Sequence, residues 1–157
     1  MRAVLQITKE SRVSVDGKTV SDCQSGMLVL LGIHRLDTEK EADLLIDRIL
    51  KLRIFKDEND KLNLSVLKTG GDILVISNFT LYANCSSRRP DFMQAMKFSQ
   101  AEPLYRYFLE TMQKKAAEWQ EGDRTVKVFP GVFGADMQVS LINDGPLTVL
   151  MDTEDFQ

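Results

Sequence analysis

Two short stretches hold the groups best suited to chemistry: "SNFTL" at residues 77–81, after the apolar run "DILVI", and "NDGPLT" at 143–148. The first offers the hydroxyls of Ser77 and Thr80 and the amide of Asn78. A threonine acts as a nucleophile only when a neighbouring base takes its proton. The second reads locally as a turn, since Asn143, Asp144 and Gly145 tolerate turn angles and Pro146 fixes its own φ. Conventional catalytic sets are missing. His34 is the only histidine, and it stands between an apolar run and "RLDTEKE" with no Ser or Cys motif attached, so it reads as a structural or surface residue. No GxGxxG, Walker or HExxH pattern occurs. Glu39, Glu41, Asp57, Glu58 and Asp60 fall in helix-start and turn contexts that solvation explains. Cys23 and Cys85 are isolated, without CxxC or Cys/His spacing, and suggest neither a zinc site nor a disulfide framework. An enzyme built on this chain works without a paired acid and base, and no metal or cofactor is expected.

The elements that must position these stretches follow from patterning. Residues 2–8 and 11–15 read as strands around "TKES", and "DGKTV" is an Asp-Gly hairpin signal before a further strand at 19–23. "MLVLLGI" at 27–33 is a buried strand by its continuous apolar character. From Thr38 to Leu52 the period changes: Ala42, Leu45, Ile49 and Leu52 recur at helical steps, with Glu39 and Glu41 at the dipole's positive end. "RIF" at 53–55 and "LNLSV" at 62–66 flank a polar turn, and "DILVISNFTLY" at 72–82 reads as a central strand. "ANCSSRRPDF" at 83–92 is an exposed loop. A long helix is predicted over 99–119, with Leu104, Phe108, Met112 and Ala116 on one stripe. Strands at 125–129, 137–142 and 147–151 close the chain, with "GVFGAD" and "NDGP" as connectors. The expected fold is α+β: a mostly antiparallel sheet curled towards a barrel, with two main helices packed outside it.

The chain's 157 residues fit one domain spanning 1–157, and 43% hydrophobic with 27% charged residues argues against disorder. No apolar run reaches a membrane span, and "MRAVLQITKE" lacks an apolar signal core, so a cytoplasmic protein is expected. The formal charge of -3 exerts no global pull on nucleic acid. An RNA partner would need a local patch, for which Arg88 and Arg89, with Lys97 beyond, and Lys9 with Arg12 are candidates.

"SNFTLY", "RRPDF", "GVFGADM" at 131–137 and "VSLINDGPLT" at 139–148, with the opening "MRAVLQI…SVDG" and "RIFKDENDKLNLSV", stand in an order and spacing that resembles the D-aminoacyl-tRNA deacylases along the whole chain. The resemblance implies hydrolysis of the ester joining a D-amino acid to the terminal ribose of tRNA, by a homodimer in which the two motifs meet across the interface. Ser77, Asn78, Phe79, Thr80 and Leu81 match a Ser-Gln-Phe-Thr-Leu pattern, Asn78 being one methylene shorter than the family's Gln. Asn143, Gly145, Pro146 and Thr148 match Asn-x-Gly-Pro-x-Thr, with the Gly145–Pro146 bond implied to be cis and its carbonyls aimed into the partner's pocket. There they would hold the α-amino group and fill the volume an L side chain needs, leaving D-aminoacyl and glycyl esters accepted. The implied oxyanion donors are the backbone N–H groups of Phe79 and Thr80. Thr80 itself is either a nucleophile or a residue positioning ester or water. Phe133, Ala135 and Met137 line an adenosine pocket or are ordinary core, and Arg88 and Arg89 are the candidates for tRNA phosphates. Two alternatives stand beside this reading: a related deacylase with a trans Gly-Pro acting on L-Ala-tRNA, and a catalytically silent tRNA-binding dimer.

Overall fold

The computed structural model describes residues 1–156. Its frame is the strand β1 (Arg2–Val15), which forms pairs on both edges. Residues 2–8 pair antiparallel with β3 (Gly26–Gly32), and residues 11–15 pair with β2 (Lys18–Cys23). The β1–β2 hairpin closes through Asp16 and Gly17, both at positive φ (50° and 73°), which is the primed turn whose twist suits the strands. The two strands expected at 2–8 and 11–15 are therefore one. The final strand, β8 (Gln138–Asp152), runs along the opposite edge of β1 from Arg2↔Asp152 to Ser14↔Gln138 and keeps "TKES" extended.

The sheet is mixed, which corrects the mostly antiparallel expectation in one respect. β6 (Gly71–Ser77) lies parallel to β3, and β7 (Val126–Pro130) lies parallel to β6. The helix α1 (Glu39–Lys51) sits in the first crossover and α3 (Phe98–Glu118) in the second. Between α1 and β6 the chain also forms a small antiparallel ribbon of β4 (Phe55–Lys56) with β5 (Leu62–Leu64), then a single helical turn, α2 (Val66–Thr69). Two successive crossovers moving the same way across a sheet put both helices on one face, because such connections share one hand.

That topology explains why β3 and β6 are apolar throughout. Met27, Val29 and Leu31 of β3, with Ile73 and Val75 of β6, face α1 and α3 and pack with Leu45, Ile49, Phe108 and Met112. Their alternate neighbours Leu28, Leu74 and Ile76 face inward, into the curl of the sheet, with Val13 and Cys23. A strand covered on both faces has no polar side to display. The curl nearly closes where β2 approaches β7, joined by the Ser21 hydroxyl donating to the Pro130 carbonyl at 2.7 Å. Burial in this interior pushes the Cys23 thiol up to about 11, keeping it neutral and idle.

α1 begins at the expected place. Thr38 accepts from the Lys40 N–H while the Glu41 carboxylate accepts from the Thr38 N–H at 2.8 Å, a capping box that satisfies donors the first turn would strand. Among the described residues no helix is long and apolar enough to cross a membrane.

Candidate functional site

β6 ends at Ser77, five residues before the expected strand does. Beyond it the chain tightens into a 3-10 turn over Phe79–Tyr82, with Asn78 as N-cap. Two bonds force this exit. The Asn78 N–H donates to the Leu31 carbonyl at 2.7 Å, the last rung joining β6 to β3. The Asn78 side-chain oxygen then accepts from the Thr80 N–H at 3.2 Å, closing the local ring that short amides favour over continued strand. Gly32 makes room: a Cβ there would lie 2.9 Å from Leu81 Cβ and 3.3 Å from the Asn78 backbone carbonyl oxygen.

The turn forms one wall of a cleft of about 800 Å³ at the carboxyl ends of the parallel strands, where open sheets with crossover helices place their ligands. Leu30 and Leu31 enter from β3, Ile33 from just beyond it, Ile76 to Thr80 from β6 and its exit, and 133–137 from the segment after β7. Phe133, Ala135 and Met137, half-buried at alternate positions, all line it. Aromatic rings frame the mouth. Phe79, 57% exposed, meets Phe92 edge-on at 5.0 Å, and Phe98, 59% exposed, lies 5.0 Å from Phe133. Such exposed rings in a concave wall suit a flat, apolar-faced ligand.

Behind the wall stands Tyr105 of α3, which pattern alone assigns to the core. Its ring lies 5.3 Å from Phe133, and its hydroxyl donates at 2.8 Å to the Val75 carbonyl, which also accepts from the Gly131 N–H at 3.0 Å. Burial raises this phenol to about 12. It ties the end of β6, the helix and the "GVFGADM" loop into one unit. Phe92, Phe98, Lys97 and Asp136 also line the cleft; sequence reasoning did not assign Phe92, Phe98 or Asp136 a place there, because they come from separate loops.

Of the two expected donors, the Thr80 N–H is engaged by Asn78 Oδ1, while next to them the Asn78 N–H is engaged by the Leu31 carbonyl. The Phe79 N–H alone of the three finds no acceptor among the described residues. The lone histidine is structural, as expected. His34 Nδ1 accepts from the Leu36 N–H at 3.3 Å, which puts the proton on Nε2, 3.0 Å from Gln94 Oε1.

"NDGPLT" does not turn the chain round. It lies inside β8 as a bulge: Thr148 pairs with Gln6 and Asn143 with Thr8, so residues 144–147 loop out against Ile7 alone. The separate strands expected at 137–142 and 147–151 are thus one. Asn143 and Thr148 brace the bulge, with the Leu147 N–H donating to Asn143 Oδ1 at 2.8 Å and Asn143 Nδ2 donating to Thr148 Oγ1 at 3.1 Å. Gln6 Nε2 donates to the same hydroxyl at 3.1 Å, pinning the base to β1. At the tip, Gly145 has φ +140°, a value open to glycine, and the Gly145–Pro146 bond is cis. Both residues are exposed and lie outside the cleft of their own chain.

Arg88 and Arg89 sit exposed at the end of a loop closed by Asn84 and Asp91, whose backbones exchange bonds of 2.9 and 3.1 Å. Neither guanidinium is ion-paired among the described residues.

Residues 4–152 match the family model described as D-Tyr-tRNA(Tyr) deacylase. Curated relatives named D-aminoacyl-tRNA deacylase include one from Caldicellulosiruptor bescii, 47% identical over 155 residues with 98% of each chain covered. Another, from Dictyoglomus turgidum, is 43% identical over 158 residues, covering 100% of this chain and 96% of the relative. Among solved structures, the c-Myc DNA unwinding element binding protein superposes with a TM-score of 0.87 at 38% identity, covering 97% of this chain and 98% of that one. A probable eukaryotic D-amino acid tRNA deacylase shares the fold, with a TM-score of 0.77 at 18% identity over 96% and 97% of the two chains.

Replacing Tyr105 with Phe removes one of two donors from the Val75 carbonyl while leaving the ring in place. The unfolding free energy in urea should fall by about 1 kcal/mol.

Proposed function

Because the chain belongs to the D-Tyr-tRNA(Tyr) deacylase family and is a hydrolase of the aminoacyl-tRNA ester bond, we propose how its residues choose and cleave that ester. The observation that carries the reading is the convergence of residues 77–80 and 133–137 on one aromatic-walled cleft. The terminal adenosine lies in this cleft against Phe133, Ala135 and Met137, and the ester reaches the 3-10 turn.

The ester carbonyl is met by the Phe79 N–H, the one unengaged donor of the turn, which stabilises negative charge as the carbonyl becomes tetrahedral. Thr80 orients ester or water rather than attacking. His34 is committed elsewhere, and the hydroxyl's own partner is an amide oxygen, which is no base. An aminoacyl ester is already activated, so alignment and oxyanion stabilisation suffice.

Handedness is read by a second copy of the chain. The Gly145–Pro146 bulge of one protomer enters the cleft of the other, and its carbonyls accept from the α-ammonium and occupy the space of an L side chain. A D side chain points away, and glycine has none to exclude. Two features support this arrangement. The bulge is rigidly braced yet projects from its own chain, and the strand that carries it exposes Val139, Ile142 and Leu150, the last at 68%. An edge strand with exposed apolar side chains calls for a cover. The tRNA backbone is met by Arg88 and Arg89.

Incubation with D-Tyr-tRNA, L-Tyr-tRNA and Gly-tRNA should give rapid loss of the first and third esters and sparing of the second. Equal loss of D- and L-esters would sink the handedness reading. Paired Ile142→Glu and Leu150→Glu substitutions, at exposed positions, should yield a folded monomer by analytical ultracentrifugation with D-Tyr-tRNA turnover down at least about a hundredfold; a monomeric parent protein would end the proposal. Paired Arg88→Ala and Arg89→Ala substitutions should shallow the salt dependence of tRNA binding by about one unit of log-log slope per lost phosphate contact.

A further inference from the structure

The protons around Asn78 are fixed by the chemistry of its neighbours. Oxygen and nitrogen of an amide look alike in outline, but the partner decides between them. A backbone N–H can only donate, so the atom 3.2 Å from the Thr80 nitrogen is Asn78 Oδ1. That same oxygen lies 2.5 Å from Thr80 Oγ1. An amide oxygen can only accept, so the hydroxyl proton of Thr80 must point at Asn78. Thr80 Oγ1 is left with lone pairs alone on its remaining sides. Both residues line the cleft, and Thr80 is exposed to it.

We propose that Asn78 is a positioning residue that locks the Thr80 hydroxyl as a pure hydrogen-bond acceptor, which receives an N–H or O–H of the aminoacyl-ribose end of the substrate. One residue thereby does two things. It caps the turn, and it turns a hydroxyl that ordinarily donates or accepts into one that only accepts. The short side chain suits this, because an Asx ring back to the second following residue closes with one methylene, whereas the Gln of the family pattern must fold an additional one. The donor is either the α-ammonium or the free ribose hydroxyl beside the ester. Both present a polar hydrogen within reach of the same ester, and the proposal holds for either.

The inference rests on the deacylase activity, and turnover of D-Tyr-tRNA by the unsubstituted protein, measured first, separates failure of that activity from failure of the inference. Asn78→Ala should lower kcat about tenfold with KM changed less than about threefold, since alignment rather than affinity is lost. Thr80→Val should do the same, and Thr80→Ser should be at least about fivefold more active than Thr80→Val. The doubly substituted Asn78→Ala, Thr80→Val protein should be within about twofold of Thr80→Val alone, because the effect of Asn78 on turnover runs through that hydroxyl, its cap being read separately by exchange. Asn78→Asp, which keeps the accepting oxygen, should recover at least about fivefold over Asn78→Ala. Independently of activity, amide exchange at Thr80 should accelerate in Asn78→Ala and be restored in Asn78→Asp. With a tRNA ending in 2′-deoxyadenosine, disappearance of the Thr80→Val penalty identifies the ribose hydroxyl as donor, and its persistence identifies the ammonium. Penalties that multiply in the double variant, or a Thr80→Val protein as active as the parent, would overturn the proposal. Should Asn78→Ala not fold, the Thr80→Val and Thr80→Ser comparison decides it.

Discussion

The parallel pairing of β3 with β6 is the constraint on which the site depends. Residues 26–31 and 72–77 match in an unbroken register, and both strands are covered on each face, by helices on one side and by the interior of the curl on the other. Neither strand can slip by one residue without reversing which side chains meet the helices. The rung from Asn78 to Leu31 is the end of that register, so the point at which the backbone leaves the sheet is set by core packing. The cleft lies where it does because both strands end there.

From that end point the local bonds take over. Asn78 folds its amide over Thr80, Gly32 leaves space for the turn, and Tyr105 ties the Val75 carbonyl to α3 and to the loop after β7. Of these supports Asn78 lines the cleft while Gly32 and Tyr105 stand outside its lining, leaving rings and a few polar groups to face it. The site is accordingly poor in titratable machinery, which fits the proposed reliance on alignment and charge stabilisation by backbone. That economy suits an activated ester, whose hydrolysis needs little beyond geometry.

The second motif shows a different use of regular structure. A strand is extended and stiff, so a bulge within it can be held rigidly while projecting outward. Asn143, Thr148 and Gln6 share one hydrogen-bond set at its base, which accounts for the spacing of the motif: four residues separate the two braces, the glycine and proline among them. Read locally these residue types signal a chain reversal. The pairing of β8 with β1 on both sides of the bulge overrides that signal, because a ladder along nearly the whole of β1 outweighs the preference of four residues.

The sequence by itself determined the element types, the amphipathic helices, the Asp-Gly hairpin and, through the order of its motifs, the family and its reaction. These rest on periodicity, capping and turn chemistry, which act over a few residues and are written in neighbouring letters. Tertiary structure alone decided that β3, β6 and β7 run parallel, though two apolar runs flanking a helical pattern carry the crossover signal. It alone stopped β6 at Ser77, made one strand of two on either side of Gly145–Pro146, set Phe92, Phe98 and Asp136 at the cleft, and put Tyr105 behind its wall. It also engaged the Thr80 N–H with Asn78 Oδ1, because only the folded turn brings that oxygen within reach. Pairing partners and hydrogen-bond partners are chosen among groups distant along the chain, and no local pattern records which of them will be nearest.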